Sequence, residues 1–495
     1  MPPSIIRRAA AVALLVGLGA LTSACDRTPE GAIKVAVIGD PPTFADPATA
    51  PLSPGQSVLL ASVAQGLVRF DARGQIEPGL AERWNVSDDG LSYVFRLASR
   101  EWPNGGRVTA EQVARLLRRT IGQRSKNPLK DTLGGVDEIV AMTDRVIEIR
   151  LKAPRPNLLQ LLAQPEFAIV RNGQGSGPFS LADDDGDHGT LRLSHRVGDP
   201  DEGTERKERV DLQALSAPDA IRAFGAGSVD LVLGGSFADL PYARRAKLPR
   251  GALQFDPASG LFGLVPARAD GPLANPEVRR LLAQAIDRDA LMASLNVPGL
   301  SGRATILQTG LDDVPQPVTP VWLATPLGER RPELIERADR LFADAERRTL
   351  RIALPEGPGA ALLLRRLAND WGLLGIQVER ARNKASADLI LVDEVAPSTS
   401  PAWFARRFRC GQVPICDPES TELLDAARLA PVAAQRAAFF AEATRRMDEL
   451  QLFIPLAAPI RWSLLSGRVQ GFAGNRFARH TLIGLDQQLE REGGR

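Results

Sequence analysis

Residues 66–97 have the sequence GLVRFDARGQIEPGLAERWNVSDDGLSYVFRL, and two short segments within this stretch are typical of β-strands. VRFD begins at Val68 and YVFRL begins at Tyr93, and both are rich in β-branched and aromatic residues. The residues around them include many glycines, aspartates and asparagines, which favour tight turns. The stretch therefore predicts short strands that are connected by turns.

Two helices are predicted outside this stretch. Thr109 is a suitable N-cap for the segment AEQVARLLRRTI at 110–121, because its hydroxyl can accept a hydrogen bond from the first turn. The segment at 274–295, ANPEVRRLLAQAIDRDALMASL, has a proline near its start and apolar residues at helical spacing. We expect a helix in each place.

Other segments predict strands and one crossover connection. IKVAVI at 33–38 predicts a strand, and 136–152 predicts a hairpin of two alternating strands. A strand is predicted at 347–357, a helix that ends at a glycine at 361–375, and a second strand at 376–382. This order is typical of a crossover within a sheet.

Length and charge limit the class of protein. A chain of 495 residues is too long for one compact core, so two or three domains are expected. The chain has 61 basic and 59 acidic residues, and residues 1–24 contain Arg7 and Arg8 but no acid. Without that segment the two charges balance at 59 each, whereas a nucleic-acid-binding protein usually has a basic excess. Nucleic acid is therefore not an expected partner.

No common catalytic signature is present in the sequence. It contains no HExxH, no GxSxG, no phosphate-binding loop, no dinucleotide-binding glycine pattern and no paired CxxC. His188, His195 and His480 are the three histidines, and they are scattered along the chain. We therefore expect no enzyme, no cofactor and no metal. A periplasmic hydrolase stays open as a remote alternative, because catalytic triads are assembled in space.

The N-terminal sequence MPPSIIRRAAAVALLVGLGALTSAC predicts a secretory signal peptide at 1–24, with a basic start, an apolar run and small residues before the cleavage point. The following Cys25 resembles the lipidated cysteine of a bacterial lipobox, although Thr22 stands where leucine is usual. We expect lipid on Cys25 and a tether at 25–32. Plain secretion and an uncleaved membrane anchor are the alternatives.

The two remaining cysteines, Cys410 and Cys416, lie close together in FRCGQVPIC. In an oxidising compartment such a pair is expected to form a disulfide that closes a small loop. A metal site would need more ligands than this pair provides.

Several segments, taken in order, resemble the family 5 extracellular solute-binding proteins, the oligopeptide-, dipeptide- and nickel-binding components of ABC transporters. The first segment follows the family pattern closely, with Gln65 where glutamate is usual and Gln112 where aspartate is usual. The segments are 66–119, GSGPF at 175–179, 276–291, LLGIQVE at 373–379, and IPL to VQGF at 454–472.

This resemblance implies an α/β fold: a two-lobed clamp similar to the type II periplasmic binding proteins, with an inserted accessory α+β domain. By analogy with the family, lobe 1 is discontinuous and the accessory domain follows its first segment. The expected ranges are 33–50, 165–255 and 455–488 for lobe 1, 51–164 for the accessory domain and 256–454 for lobe 2.

The resemblance also implies candidate ligand-binding residues. In oligopeptide binders of the family, an aspartate neutralises the α-ammonium group of the peptide, and LILVDEVAP places Asp393 at that position, with Ile390 where tryptophan is usual. Alternatively, Asp393 only ends a strand and caps a loop. The next segment, PAWFARRFRC, offers Trp403 as an apolar face, and Arg406 and Arg407 as donors to carboxylate or phosphate. A solvated basic face is the alternative for this segment.

The implied function is delivery of a small ligand, an oligopeptide by default, to an ABC transporter permease. The expected location is the periplasm, where lipidated Cys25 would hold a monomer on the outer leaflet of the inner membrane. Asp26 resembles the signal that retains lipoproteins there. The alternatives are a carrier for a nickel chelate or another non-peptide solute, and a clamp-fold sensor or adaptor without transport.

Overall fold

The computed structural model describes residues 31–182, 189–198, 204–312, 314, 317–343 and 349–487. The expected signal peptide and Cys25 lie outside these residues. In the part of the chain that is described, no helix has both the length and the apolar character needed to cross a membrane.

The helices of the described residues are mostly two to four turns long. In chain order they are α1 (Pro54–Val63), α2 (Ala110–Ile121), α3 (Leu158–Leu162), α4 (Ala217–Gly225), α5 (Leu240–Arg245), α6 (Pro276–Ala285), α7 (Arg288–Leu295), α8 (Leu327–Leu341), α9 (Pro358–Gly372), α10 (Pro401–Arg406), α11 (Pro418–Leu429) and α12 (Ala433–Glu449). Short 3-10 helices lie at Lys130–Leu133, Pro165–Phe167, Pro272–Ala274, Val321–Ala324 and Lys384–Ser386.

The strands alternate with these helices along the chain. They are β1 (Ile33–Ile38), β2 (Val68–Phe70), β3 (Ile76–Pro78), β4 (Ala81–Val86), β5 (Ser92–Leu97), β6 (Val136–Thr143), β7 (Val146–Leu151), β8 (Ser180–Leu181), β9 (Leu191–Val197), β10 (Arg206–Leu215), β11 (Leu231–Ser236), β12 (Leu253–Phe255), β13 (Gly260–Pro266), β14 (Thr349–Ala353), β15 (Gln377–Arg380), β16 (Leu389–Val395), β17 (Ile454–Ala457), β18 (Arg461–Leu465), β19 (Val469–Gln470) and β20 (Asp486–Gln487).

A seven-stranded sheet in the order β12-β18-β11-β1-β10-β9-β8 forms the first lobe, together with α1 and α4. Its central strand β1 pairs in parallel with both β10 and β11. Val35 and Val37 on one face of β1 pack in the same core cluster as Val58 of α1, whereas Ala36 on the other face packs in the cluster that contains Phe224 of α4. Helices cover both faces of the sheet, which explains why β1 is almost uniformly apolar.

A five-stranded sheet in the order β15-β14-β16-β13-β17 forms the second lobe. β14 and β15 are parallel and α9 connects them, which confirms the crossover predicted from the sequence. β13 runs antiparallel to both β16 and β17. The two large sheets with their covering helices confirm the expected α/β class.

The chain crosses between the two lobes twice. The first crossing, 256–259, connects β12 to β13, and the second, 458–460, connects β17 to β18. Asp256 N donates to Arg461 O across 3.0 Å, so the first crossing is hydrogen-bonded to the first residue of β18, the strand into which the second crossing leads. Phe237 and Phe262 meet edge to face at 4.9 Å between ring centroids, which extends the apolar core across this joint.

A four-stranded antiparallel sheet, β4-β5-β7-β6, forms the accessory domain with α2 packed against it. Thr109 accepts a hydrogen bond from Gln112 N and caps α2 as predicted. The indole of Trp102 is buried in this core and donates to Gln112 Oε1 at 2.8 Å. We use the names lobe 1, lobe 2 and accessory domain for these three regions, while their residue boundaries stay a prediction.

The single helix expected at 274–295 is wrong in detail, because the structure has two helices there. Helix α6 ends at Ala285 and α7 begins at Arg288. Asp287 lies between them and its carboxylate accepts from Ala290 N at 2.9 Å, so it caps the second helix. An aspartate that caps a new helix competes with continuation of the previous one.

Gly177, in the GSGPF segment, lies directly against the end of α1. A Cβ atom added at Gly177 would lie 2.4 Å from Val63 C and 2.5 Å from Ser62 O.

Both contacts are backbone atoms and cannot move aside, so we expect Gly177→Ala to lower the free energy of unfolding by about 1–3 kcal/mol. Urea unfolding measures the change. Gly372→Ala is the control, because a Cβ there meets no atom within 4 Å; an equal loss in both variants would contradict this packing.

Asp370 on α9 is a buried carboxyl group that accepts a hydrogen bond from Asp287 N at 3.1 Å. Burial raises the pKa of Asp370 to about 6, and this hydrogen bond opposes the shift. The folded protein therefore holds this proton more tightly than the unfolded chain, so stability falls as pH rises from about 4 to about 6. This ionisation lowers the free energy of unfolding by about 2 kcal/mol between about pH 4 and about pH 6, and Asp370→Asn should abolish that decrease. Urea unfolding at the two pH values measures it. An identical pH dependence in both proteins would contradict the assignment.

Candidate functional site

A cleft of about 700 Å³ lies where the two lobes and the accessory domain meet. Lobe 1 contributes Val37 and Arg461 to its wall, lobe 2 contributes Asp393 and Trp403, and the accessory domain contributes Arg69. A guest in this cleft would contact all three regions at once.

Asp393 lies on β16, opposite Phe262 of β13, and its side chain lines the cleft. Arg461 Nη1 donates to Asp393 Oδ1 at 2.8 Å, and Arg461 Nη2 donates to the backbone oxygen of Asp393 at 3.1 Å. The two side chains retain 17% and 21% exposure, so water and a guest can still reach the pair. No hydrogen bond to Asp393 Oδ2 is found among the described residues, which leaves one carboxylate oxygen for a ligand.

Helix α10 brings the other three predicted residues to the cleft. Trp403, Arg406 and Arg407 all line it. Trp403 packs edge to face on Phe404, with the ring centroids 5.0 Å apart. Arg407 pairs with Glu394 at 3.1 Å, whereas burial lowers the pKa of Arg406, which forms no ion pair within the described part of the chain.

Further polar residues line the cleft that the sequence analysis did not single out. Gln65 and Glu166 are both more than nine-tenths buried, and no described residue offers a hydrogen-bond partner to Gln65 Oε1 or to Glu166 Oε2. The remaining polar atoms of these side chains are held in place: Gln65 Nε2 donates to Ser176 O at 2.9 Å, and Glu166 Oε1 accepts from Arg479 Nη2 at 2.5 Å. Buried acceptors without partners are rare in proteins, so these two atoms are candidates for contact with a ligand.

The C-terminal segment completes the cleft. Arg479 donates to Gln164 Oε1 at 3.0 Å in addition to its ion pair with Glu166. His480 Nε2 lies 3.1 Å from Asp256 Oδ2 in the first crossing. These contacts join residues more than 200 positions apart, and no local sequence signal marks them.

Cys410 and Cys416 form a disulfide with an S–S distance of 2.04 Å. It closes the loop between α10 and α11, directly after the helix that carries Trp403 and Arg406. Among the described residues, no group of three histidine, cysteine, aspartate or glutamate side chains is arranged to hold a metal ion.

Comparison with known proteins agrees with this architecture. The family model for "Bacterial extracellular solute-binding proteins, family 5 Middle" matches residues 75–351, more than half of the chain. The Escherichia coli murein tripeptide binding protein MppA has a similar fold, with a TM-score of 0.79 at 19% identity over 93% of this chain and 99% of that chain.

Two curated relatives match at different lengths. A Pseudomonas aeruginosa protein named "Probable di/tripeptide-binding protein 5" is 25% identical over 83% of this chain and 88% of its own length. An Escherichia coli protein named "Probable deoxycholate-binding periplasmic protein YgiS" is 30% identical, but over only 23% of this chain and 24% of its own length. With the family match and the two-lobed fold, these findings place the chain in family 5 of the bacterial extracellular solute-binding proteins, the binding components of ABC importers.

Proposed function

We propose that this protein captures a short peptide in the cleft between its lobes and delivers it to the permease of an ABC importer. The observation that carries the proposal is a pair of buried acceptors, Gln65 Oε1 and Glu166 Oε2, for which no partner is found among the described residues. They belong to side chains that line a cleft of about 700 Å³. Peptide N–H groups are donors that could satisfy such acceptors. The peptide-binding names of MppA and of the Pseudomonas aeruginosa relative support this ligand class.

Closure of the clamp follows from the same geometry. A guest that contacts both lobes binds more tightly when the lobes are close, so it shifts the equilibrium toward the closed form. The permease could then distinguish the loaded receptor by its shape. The short crossings at 256–259 and 458–460 are where such a motion would bend the chain.

Native mass spectrometry of the protein purified without denaturation is the direct test of the function. We expect an additional mass that disappears when the protein is unfolded and refolded, and a rise in melting temperature when short peptides are restored. The peptide assignment would be rejected if no peptide of a broad set raised the melting temperature and the protein retained a mass that is not a peptide. That mass would then identify another solute.

Asp393 is the proposed partner of the peptide's α-ammonium group, which would share the carboxylate with Arg461. We expect Asp393→Asn to weaken peptide binding on the order of tenfold, because a charge-assisted hydrogen bond contributes about 1.5–3 kcal/mol. The melting temperature without ligand should change little, because the asparagine keeps the shape of the side chain and its carbonyl oxygen can still accept from Arg461. Isothermal titration with one peptide and its N-acetylated form measures the effect.

The control for this variant is Asp270→Asn, which removes a carboxylate from lobe 2 whose side chain is 81% exposed and lies outside the cleft lining. It should bind both peptides as the unmodified protein does. Equal affinity of Asp393→Asn and the unmodified protein for the free-amine peptide would remove Asp393 from the ligand site.

We also propose that lipid on Cys25 holds the receptor at the membrane, which raises its concentration near the permease. Cys25→Ser should release the protein into the soluble periplasmic fraction and abolish incorporation of a fatty-acid label, without changing peptide affinity. A protein that stays in the membrane fraction after this substitution would favour an uncleaved anchor instead.

A further inference from the structure

A second cavity of about 490 Å³ lies between the accessory domain and lobe 2, next to the ligand cleft. We call it the annex. The annex and the cleft share one wall, because four residues line both of them: Asp131, Trp403, Arg406 and Gln412. A solute in the cleft could therefore extend a group past α10 into the annex.

The annex has a strong excess of positive charge. Two carboxylates line it, Asp131 and Asp312. Five guanidinium groups also line it, those of Arg155, Arg406, Arg409, Arg428 and Arg436.

Three of the five arginines have protein partners. Arg409 pairs with Asp425 at 2.7 Å, and Arg428 lies 3.8 Å from the same carboxylate. Arg436 donates to Pro431 O at 3.0 Å. These groups fix the wall of the annex and contribute a positive field, but their donors are partly occupied.

Arg155 and Arg406 differ from Arg409 and Arg428, because within the described ranges neither has an ion-pair partner. Arg155 belongs to the accessory domain, and its Nη1 donates to Thr132 O at 3.3 Å. Its Nε is buried and has no partner among the residues that the structure describes. The guanidinium lies against Gly135, where an added Cβ would be only 2.3 Å from Arg155 Nε. The position of Arg155 is therefore set by packing before any ligand arrives.

Burial disfavours the charged form of both guanidinium groups, those of Arg155 and Arg406. Burial lowers the pKa of Arg155, and the charges of Arg428 and Arg406 lower it further. Burial also lowers the pKa of Arg406, with the carboxylate of Asp131 opposing the shift. Two guanidinium groups that are partly desolvated and near each other are stabilised most effectively by an anion with several acceptor oxygens.

We propose that Arg155 and Arg406 form an anion-binding subsite in the annex, which takes a carboxylate or phosphate group, either as part of the captured solute or as a free ion. Within the proposed function, the subsite makes the receptor selective for anionic solutes. Arg155 is on the accessory domain and Arg406 is on lobe 2, so an anion held by both would also favour the closed clamp.

The test is isothermal titration at constant ionic strength with four probes: citrate, inorganic phosphate, tetraalanine, and tetraalanine with a C-terminal amide. The variants are Arg155→Gln and Arg406→Gln. We expect each substitution to weaken binding of the anionic probe about tenfold, the loss that follows when one hydrogen-bonded charge is removed. Binding of the amide should be unchanged.

Arg100→Gln is the matched control. Arg100 is an arginine of the same accessory domain whose Nε is also buried without a partner, and burial also lowers its pKa, but it lines neither cavity. This variant should keep the affinity of the unmodified protein for every probe. If Arg155→Gln does not fold, Arg406→Gln decides the question, because Arg406 makes no hydrogen bond or ion pair with other described side chains.

The outcomes separate the source of the anion. If the unmodified protein binds tetraalanine more tightly than its C-terminal amide, and both arginine variants lose this difference, the anion is a carboxylate of the captured solute. Binding of citrate or phosphate that is lost in the same variants, with no difference between the peptides, supports a free ion. Peptide binding that is insensitive to both substitutions, with no binding of free anions, overturns the subsite but leaves the proposed function intact. The absence of any retained solute or peptide response would instead reject the proposed function.

Discussion

The hydrogen bond from Asp256 N to Arg461 O holds the first crossing between the lobes against β18, the strand into which the second crossing leads. The cleft lies at this joint, because Arg461 lines it. In the described part of the chain, two segments connect the large sheets, 256–259 and 458–460, so a motion between the lobes would bend the chain there. Arg461 also pairs with Asp393 inside the cleft. One residue therefore links the joint to the cleft, and under the proposed function a ligand that competed for Asp393 would act directly on this joint.

Much of the fold could be predicted because it depends on local patterns. The run IKVAVI identified β1, Thr109 identified the start of α2, and the strand–helix–strand order identified the crossover from β14 to β15. Details failed where short-range capping competes with periodicity. Asp287 interrupts an otherwise continuous helical pattern, because its carboxylate caps the second of the two helices.

The site was predictable only in part. The resemblance to the family brought attention to Asp393 and to the segment of Trp403, Arg406 and Arg407, and all four line the cleft. Their partners could not be found in the same way, because the contacts are distant in sequence: Asp393 and Arg461 are 68 residues apart, and Glu166 and Arg479 are 313 apart. Whether a charged residue is satisfied or available depends on such partners, so the chemistry of the cleft required the folded structure.

The position of β18 in the first sheet has a consequence for how the protein is made. This strand comes from the C-terminal part of the chain, yet it lies between β11 and β12. Lobe 1 therefore has an open edge until residues 461–465 have been synthesised, and long-range pairing of this kind is slow. The sheet of lobe 1 therefore cannot be completed before the C-terminal part of the chain has been synthesised, although the accessory domain has its own core from earlier residues.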